Sequence, residues 1–451
     1  MTDDKPHETF IPFRRADVIE MCLHDASLKE EDKSRFQTFC DILTAYYHFS
    51  FHSVLERLKN FFSPIDPDAG VKPFRSPSKE ECESKIDAFY RDFERLLVKA
   101  NFQPLGEEDL KRAFVDKTLI HLNIDVDLES FDNYIFYYRG SKRAATTQKI
   151  LSFYQKEITF ELFERVILLL KYKEREYFRQ KGIDIGKLNF TPGRTYIFYY
   201  KNVPKADLEI LFPNVKISMT LKDRLLFLLP AFGVGLSTLF KISTNLILII
   251  GFILFMLGWT SFAQRLNVDE ELIQKSLIPT IAALASVIVV LGGFAIKQYM
   301  NYKNKWVKFL NDVTQTLFFR KISVNAGVFQ CLVDAAEEEE CKEAILAYFH
   351  LLTSDKALTK AELDTRIERW FEDKFDTHID FDVEDALEKL DKLKGNITLK
   401  NQNGETVEEI SLISCDGEGG WKVLPLDRAI LVLDLIWDNV FQYHGVVNPD
   451  E

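Results

Sequence analysis

Between Ser34 and Phe62 the apolar residues Phe36, Phe39, Cys40, Leu43, Tyr47, Phe51, Leu55, Leu58 and Phe62 recur at steps of three and four. That is the period of a helix with one face turned to a core. Upstream, FIPFRRADVIEMCL predicts a turn around Pro12 and a shorter amphipathic helix carrying Val18, Ile19, Cys22 and Leu23. The run SPIDPDAGVKPFRSPS, with four prolines between Ser63 and Ser78, breaks the helical pattern, which resumes near Lys79 and continues to about Ala100.

From Asn123 to Pro204 the texture changes to aromatic and branched runs: FDNYIFYYRG, FERVILLLKYK and RTYIFYYKNVP. These predict three strands. KNVPKADLEILFPN follows, with a helical turn started by Pro204 and closed by Pro213. Beyond residue 300 the pattern is helical to about Leu352, then gives helices over 359–375 and 383–392, a turn-rich pair of strands, and a last helix. Two helices followed by a two-stranded ribbon form a winged-helix outline.

The segment between carries the strongest hydropathy. LILIIGFILFMLGWTSF, residues 246–262, holds eleven Leu, Ile or Phe in seventeen positions and no charge, and residues 277–296 are a second uncharged run. Each approaches the roughly 20 apolar residues that a membrane crossing requires. The expectation is therefore a transmembrane helical hairpin with crossings at 243–263 and 277–298. The run 225–240, with Pro230, Gly233 and Gly235, is shorter and is expected to be re-entrant or interfacial. Five bases lie between Lys201 and Arg224 and six between Lys297 and Lys321, against two in the loop 264–276. The positive-inside rule then places both flanks, and both termini, in the cytoplasm. The fold class expected is α+β: a helical region (1–122) with a small antiparallel sheet (123–224), the membrane segment (225–300), and a C-terminal winged-helix-like domain (301–451).

Charge narrows the choice of partners. The formal net charge is −12, and residues 342–451 alone hold 12 bases and 24 acids. The candidate recognition helix, VEDALEKLDKL, carries Glu384, Asp385, Glu388 and Asp391 against Lys389 and Lys392. Phosphates would repel it, so no nucleic acid is expected. The six cysteines include no C-x-x-C pair and read as reduced thiols. The N-terminus MTDDKPHETF resembles neither a secretory signal nor a transit peptide.

Candidate chemistry is sparse. His48, His52 and Glu56 stand at four-residue spacing on one flank of the long helix, a spacing that suits two imidazoles and a carboxylate around a metal, or equally the edge of a core. The three apolar runs end in bases at Arg139, at Lys171 and Lys173, and at Lys201, which form an anion-binding edge if the strand ends align and are ordinary solvated ends if they do not. Asp125, Asp127 and Glu129 alternate as on a strand face, and Glu337 to Glu340 read as the acidic start of a helix. No phosphate-binding loop, dinucleotide fingerprint, nucleophile elbow or kinase signature is present, so no cofactor is expected and catalysis is left open.

FIPFRRADVIE, YYHFSFHSVLERL with SPIDPDAG, FYYRGSKR, YKNVPKADLEILFPN and NAGVFQCLVDAAEEEECKEAILAYFHLL together resemble the domain-of-unknown-function 3754 family, which includes transmembrane protein 143 of mitochondria. The resemblance implies a membrane protein with a paired hydrophobic segment, and it carries over no catalytic residues. Without a transit-like N-terminus, a prokaryotic inner membrane is the location expected. The role expected is a membrane-anchored scaffold or protein-interaction module, in contact with the lipid bilayer and with a protein partner or further copies of itself. The alternative is a membrane-bound enzyme acting on a lipid or phosphorylated substrate at the helix of His48 and His52.

Overall fold

The computed structural model describes residues 10–68, 70, 74–75, 77–106, 110, 123–151, 154–218, scattered positions from 254 to 320, and residues 321–401, 404–417 and 419–440. Helix α1 (Arg15–Leu23) leads into α2 (Glu30–Phe62), whose buried residues are the nine apolar positions of the periodic stripe. α2 starts four residues before the stripe, because Glu30, Glu31 and Asp32 suit the positive end of the helix dipole. α3 (Lys79–Lys99) begins at a capping box, with Ser78 accepting from the Glu81 N–H and the Glu81 side chain accepting from the Ser78 N–H.

The aromatic runs become β3 (Phe131–Leu151), β4 (Tyr154–Tyr172) and β5 (Thr195–Pro204), with β1 (Gln103–Pro104) and β7 (Lys321–Val324) completing a five-stranded antiparallel sheet in the order β1-β3-β4-β5-β7. The short helix α4 (Arg175–Gln180) follows β4. β3 runs past the base and glycine at which the apolar run stops. Gly140 takes φ +68°, and a Cβ there would sit 3.0 Å from the Glu164 side chain, so only glycine lets the strand bend and continue. Beyond this point β3 and β4 form a long hairpin, paired from Lys142↔Leu162 to Leu151↔Tyr154.

Helix α5 (Ala326–Leu352) is buried around most of its circumference along its second half, charged residues included. It starts from Asn325, which exchanges a backbone bond of 2.7 Å with Ile197 and accepts the Ile197 N–H on its side chain, fixing the helix start to β5. Phe329 meets Phe62, Phe89 and Phe93 at ring distances of 5.2, 5.7 and 5.9 Å. Further along, Tyr348 stacks on Phe39 at 4.0 Å. α6 (Lys360–Phe375), α7 (Val383–Lys392), the hairpin β8 (Lys394–Asn401) and β9 (Gly404–Ser411), the pair β10 (Ile413–Cys415) and β11 (Trp421–Val423), and α8 (Leu426–Asp438) complete the chain. One core takes in residues from Ile11 to Leu433. This first unit comprises residues 1–115, 128–208 and 321–451. The second unit comprises residues 116–127 and 209–320 and holds an antiparallel ladder of β2 (Asn123–Val126) and β6 (Val215–Ser218).

Among the described residues no helix is long and apolar enough to cross a membrane. The expected transmembrane hairpin is corrected accordingly, and with it the multi-pass inner-membrane location. Apolar composition met one requirement of a crossing, but an unbroken helix of roughly 20 residues is the other. Within 243–263 the chain turns at Leu257 and Gly258: Gly258 has φ +79°, and the Trp259 N–H bonds the Leu254 carbonyl at 2.9 Å, the closure of a helix end. The run 225–240 and most of both expected crossings lie outside the described residues.

The aromatic cluster generates a stability prediction. Phe329→Ala removes the ring shared by α2, α3 and α5, and should cost about 3–5 kcal/mol. Urea unfolding of the purified chain measures it; a loss under about 1 kcal/mol would show that the cluster repacks.

Candidate functional site

His48 does not turn towards His52. Its Nδ1 lies 3.0 Å from Glu337 of α5, with the side chain 72% exposed. Glu56 pairs with Lys59 at 2.8 Å, and that ammonium, with a smaller contribution from His52, holds the carboxyl below its usual range. Among the described residues no group of three His, Cys, Asp or Glu is placed to hold a metal ion.

Antiparallel pairing divides the four candidate anion-binding bases, leaving Arg139 and Lys201 in one row and Lys171 and Lys173 at the other end of the sheet. Arg139 lies opposite Arg165, and Arg165 opposite Lys201, so these three share one row of the sheet. Lys171 lies opposite Asn133 and Thr195, about 20 Å further along at ~3.4 Å per residue. Consecutive run ends would align only in a parallel sheet. Three of the four have local company: Arg139 is held against the rings of Phe10 and Phe102, Lys171 pairs with Asp132 at 2.6 Å, and Lys173 lies over Tyr177. Arg165, inside the FERV run, went unnoticed because register is what gives it neighbours. The alternating acids separate as well, since β2 ends at Val126 and Glu129 pairs with Lys181 at 2.7 Å.

The acidic run of α5 is eleven residues inside the helix that it was expected to start. Successive residues point about 100° apart around a helix, so four consecutive glutamates face four directions. Glu337 pairs with Arg15 at 2.9 Å as well as with His48, and Glu338 accepts the Arg15 N–H at 2.9 Å. Glu339 accepts the Ile11 N–H at 3.2 Å and pairs with Lys342 at 2.8 Å. Lys342, 2% exposed, also donates to the carbonyls of Ile11 (2.6 Å) and Phe13 (3.0 Å). On the opposite side Glu340 pairs with Lys99 of α3 at 3.0 Å and with Lys389 of α7 at 3.4 Å. Lys389 further binds Asp385 at 2.6 Å, and Glu343.

One ammonium thus faces three carboxylates. Burial works against its charge, but Glu343, Glu340 and Asp385 outweigh that and hold Lys389 above its usual range. A single positive charge does not neutralise three negative ones in a dry site. Burial pushes Glu343 up to about 7 against the pull of Lys389.

The outer side of this ionic centre opens into a cleft of about 280 Å³ between α2, α3 and α7. Tyr46, Tyr47, Phe51, Val54, Leu96 and Leu393 form its apolar wall. Glu340 and Lys389 form the inner end. Arg57, Arg95, Lys99 and Lys392 surround the opening; Arg57 binds Asp92 at 2.7 Å, and Arg95 stands 3.7 Å from the same carboxylate. These side chains were invisible as a group in the sequence, because four segments supply them. The i, i+4 spacing of Arg95 and Lys99 was the one local signal.

Glu343 makes stability depend on pH. Its folded value of about 7 lies above the ordinary 4.5, so its contribution is full below about pH 4.5 and is lost as pH rises through about 7. Glu343→Gln, neutral at every pH, should therefore gain in urea midpoint relative to the parent between pH 5 and pH 8. A difference that stays constant over that range would show that Glu343 does not titrate there.

No solved structure matches this chain. Residues 163–327, which run from β4 through β5 to the first residues of α5, match the family described as "Protein of unknown function (DUF3754)".

Proposed function

We propose that this chain is a protein-interaction module that associates with further copies of itself through the distal half of the β3–β4 hairpin. The observation that carries the reading is the hairpin's open edges. Among the described residues, β3 beyond Ser141 and β4 before Leu162 pair only with each other. The ten residues 142–151 extend about 34 Å at ~3.4 Å per residue. An isolated two-stranded ribbon is marginal in water, and its unpaired N–H and C=O groups are templates for another strand.

Charge selects which strand. By sequence β3 beyond Ser141 holds three bases and no acid, whereas β4 before Leu162 holds two acids and one base; within the chain Arg143 lies opposite Glu161, which also pairs with Lys205 at 3.0 Å. Pairing β3 of one copy with β4 of the next brings unlike charges across the ladder; pairing like edges brings like charges together. Such a contact is head to tail, so it closes into a ring or extends as a chain. The interaction reading is preferred to the enzyme alternative, which called for His48 and His52 to share a concave polar site with Arg139 and Lys201. Those bases sit in a row of the sheet, and His48 turns to Glu337.

Light scattering on the purified chain, monomer mass 52.4 kDa, tests the reading. Assemblies larger than one chain should form, and Arg143→Glu with Lys149→Glu should shift them to monomer. Adding Glu157→Lys and Glu161→Lys should restore them. A chain that is monomeric at every concentration, or an assembly indifferent to the first pair of changes, would remove the proposal.

A further inference from the structure

We infer that the cleft between α2, α3 and α7 binds a compact phosphomonoester, a phosphate carried on an apolar or aromatic body. This site is separate from the hairpin edges and stands or falls independently of them. Its lining contains five bases, Arg57, Arg95, Lys99, Lys389 and Lys392, and three acids, Asp92, Glu340 and Asp385. Lys392 is taken up by Glu388 at 2.7 Å and Lys389 by Glu343 and Asp385, so the positive excess lies at the opening, where Arg57, Arg95 and Lys99 face Asp92 and a Glu340 shared with Lys389. A phosphomonoester carries about −1.5 to −2 at pH 7 and offers three acceptor oxygens to one small volume.

The placement of the bases favours phosphate over a scattered set of carboxylates. Arg95 and Lys99 rise from one face of α3 one turn apart, and Arg57 reaches the same Asp92 from α2. Asp92 is therefore shared by two guanidiniums, and Glu340 by two ammoniums, Lys99 and Lys389. Asp92 therefore leaves one guanidinium charge uncompensated at the opening. Arg57 and Arg95 supply planar donor forks suited to phosphate oxygens, and Lys99 adds a point charge. The rings of Tyr46, Tyr47 and Phe51, with Val54, Leu96 and Leu393, give the rest of the ligand an apolar wall. At about 280 Å³ the cleft is just below the roughly 300–1,000 Å³ of sites for drug-sized ligands, so the body is small.

Calorimetric titration of the full chain with phenyl phosphate, inorganic phosphate and phenol tests this. Phenyl phosphate should bind at least about tenfold more tightly than either fragment, since the two parts act together in one site. Arg95→Gln, at an exposed position, and Lys99→Gln, whose folding is checked by its urea midpoint because Lys99 also holds the buried Glu340, should each weaken binding by roughly tenfold, about 1.4 kcal/mol. Asp92→Asn should strengthen it, because it frees both guanidiniums; a merely structural role for Asp92 would not act in that direction. Lys187→Gln, remote from the cleft, should change nothing. Dihexanoyl phosphatidate separates the sources of the phosphate: tighter binding than phenyl phosphate assigns it to a lipid headgroup, weaker binding to a soluble compound, and both support the site. Phenyl phosphate binding no better than inorganic phosphate, or binding unaffected by Arg95→Gln and Lys99→Gln, would overturn the inference.

Discussion

Lys342 lies near the middle of α5 with 2% of its side chain exposed, and its ammonium holds the carbonyls of Ile11 and Phe13 together with Glu339. An unpaired ammonium in that position would carry an uncompensated desolvation cost of several kcal/mol. Burying α5 therefore requires the N-terminal segment to be in place. Along the same helix Glu337, Glu338 and Glu340 impose the same condition on Arg15, His48, Lys99 and Lys389. Each partner comes from a different segment. Apolar contact alone allows neighbouring helices to slide, but a dry charge accepts only the geometry that satisfies it, so the ionic centre fixes how α1, α2, α3 and α7 meet α5.

The parts of this arrangement that sequence made legible are those whose cause is local. The α2 stripe could be read because helical period and burial are the same fact seen twice: nine residues recur at three and four because nine residues are buried. The three aromatic runs announced strands for a similar reason. The acidic run of α5 failed the same method. Carboxylates in sequence suggest a helix N-terminus when only neighbours are considered, and, Lys342 beside Glu339 apart, the partners of Glu337, Glu339 and Glu340 lie between 49 and 328 positions away in the chain. Nothing within one helical turn reports them.

Register explains the second class of error. Arg139, Lys171 and Lys201 each close an apolar run, and the eye aligns ends with ends. In an antiparallel sheet alternate strands reverse, so Arg139 meets Arg165 in the interior of β4 while Lys171 goes to the far side. The expected membrane hairpin came from a third source, composition taken as conformation. Residues 246–262 have the apolar content of a crossing, yet Gly258 at φ +79° ends a helix inside them. Transfer free energy sums over residues, whereas a span depends on each successive hydrogen bond, and one left-handed residue interrupts the second without altering the first.

The cleft and the ionic centre share Glu340 and Lys389, and this sharing bears on what the cleft does. Glu340 faces Lys99 at the opening and Lys389 at the inner end, so a change of charge at the opening is felt directly by a carboxylate of the buried cluster. An anion drawing Lys99 away would leave Glu340 to Lys389 alone, and Lys389 is already divided among Glu343 and Asp385. With more negative charge relying on one ammonium, the proton on Glu343 becomes harder to lose. Occupancy of the cleft and protonation of Glu343 are in this way linked through two side chains, and linkage of this kind runs in both directions: whatever raises the affinity of Glu343 for its proton is itself held more tightly when that proton is present.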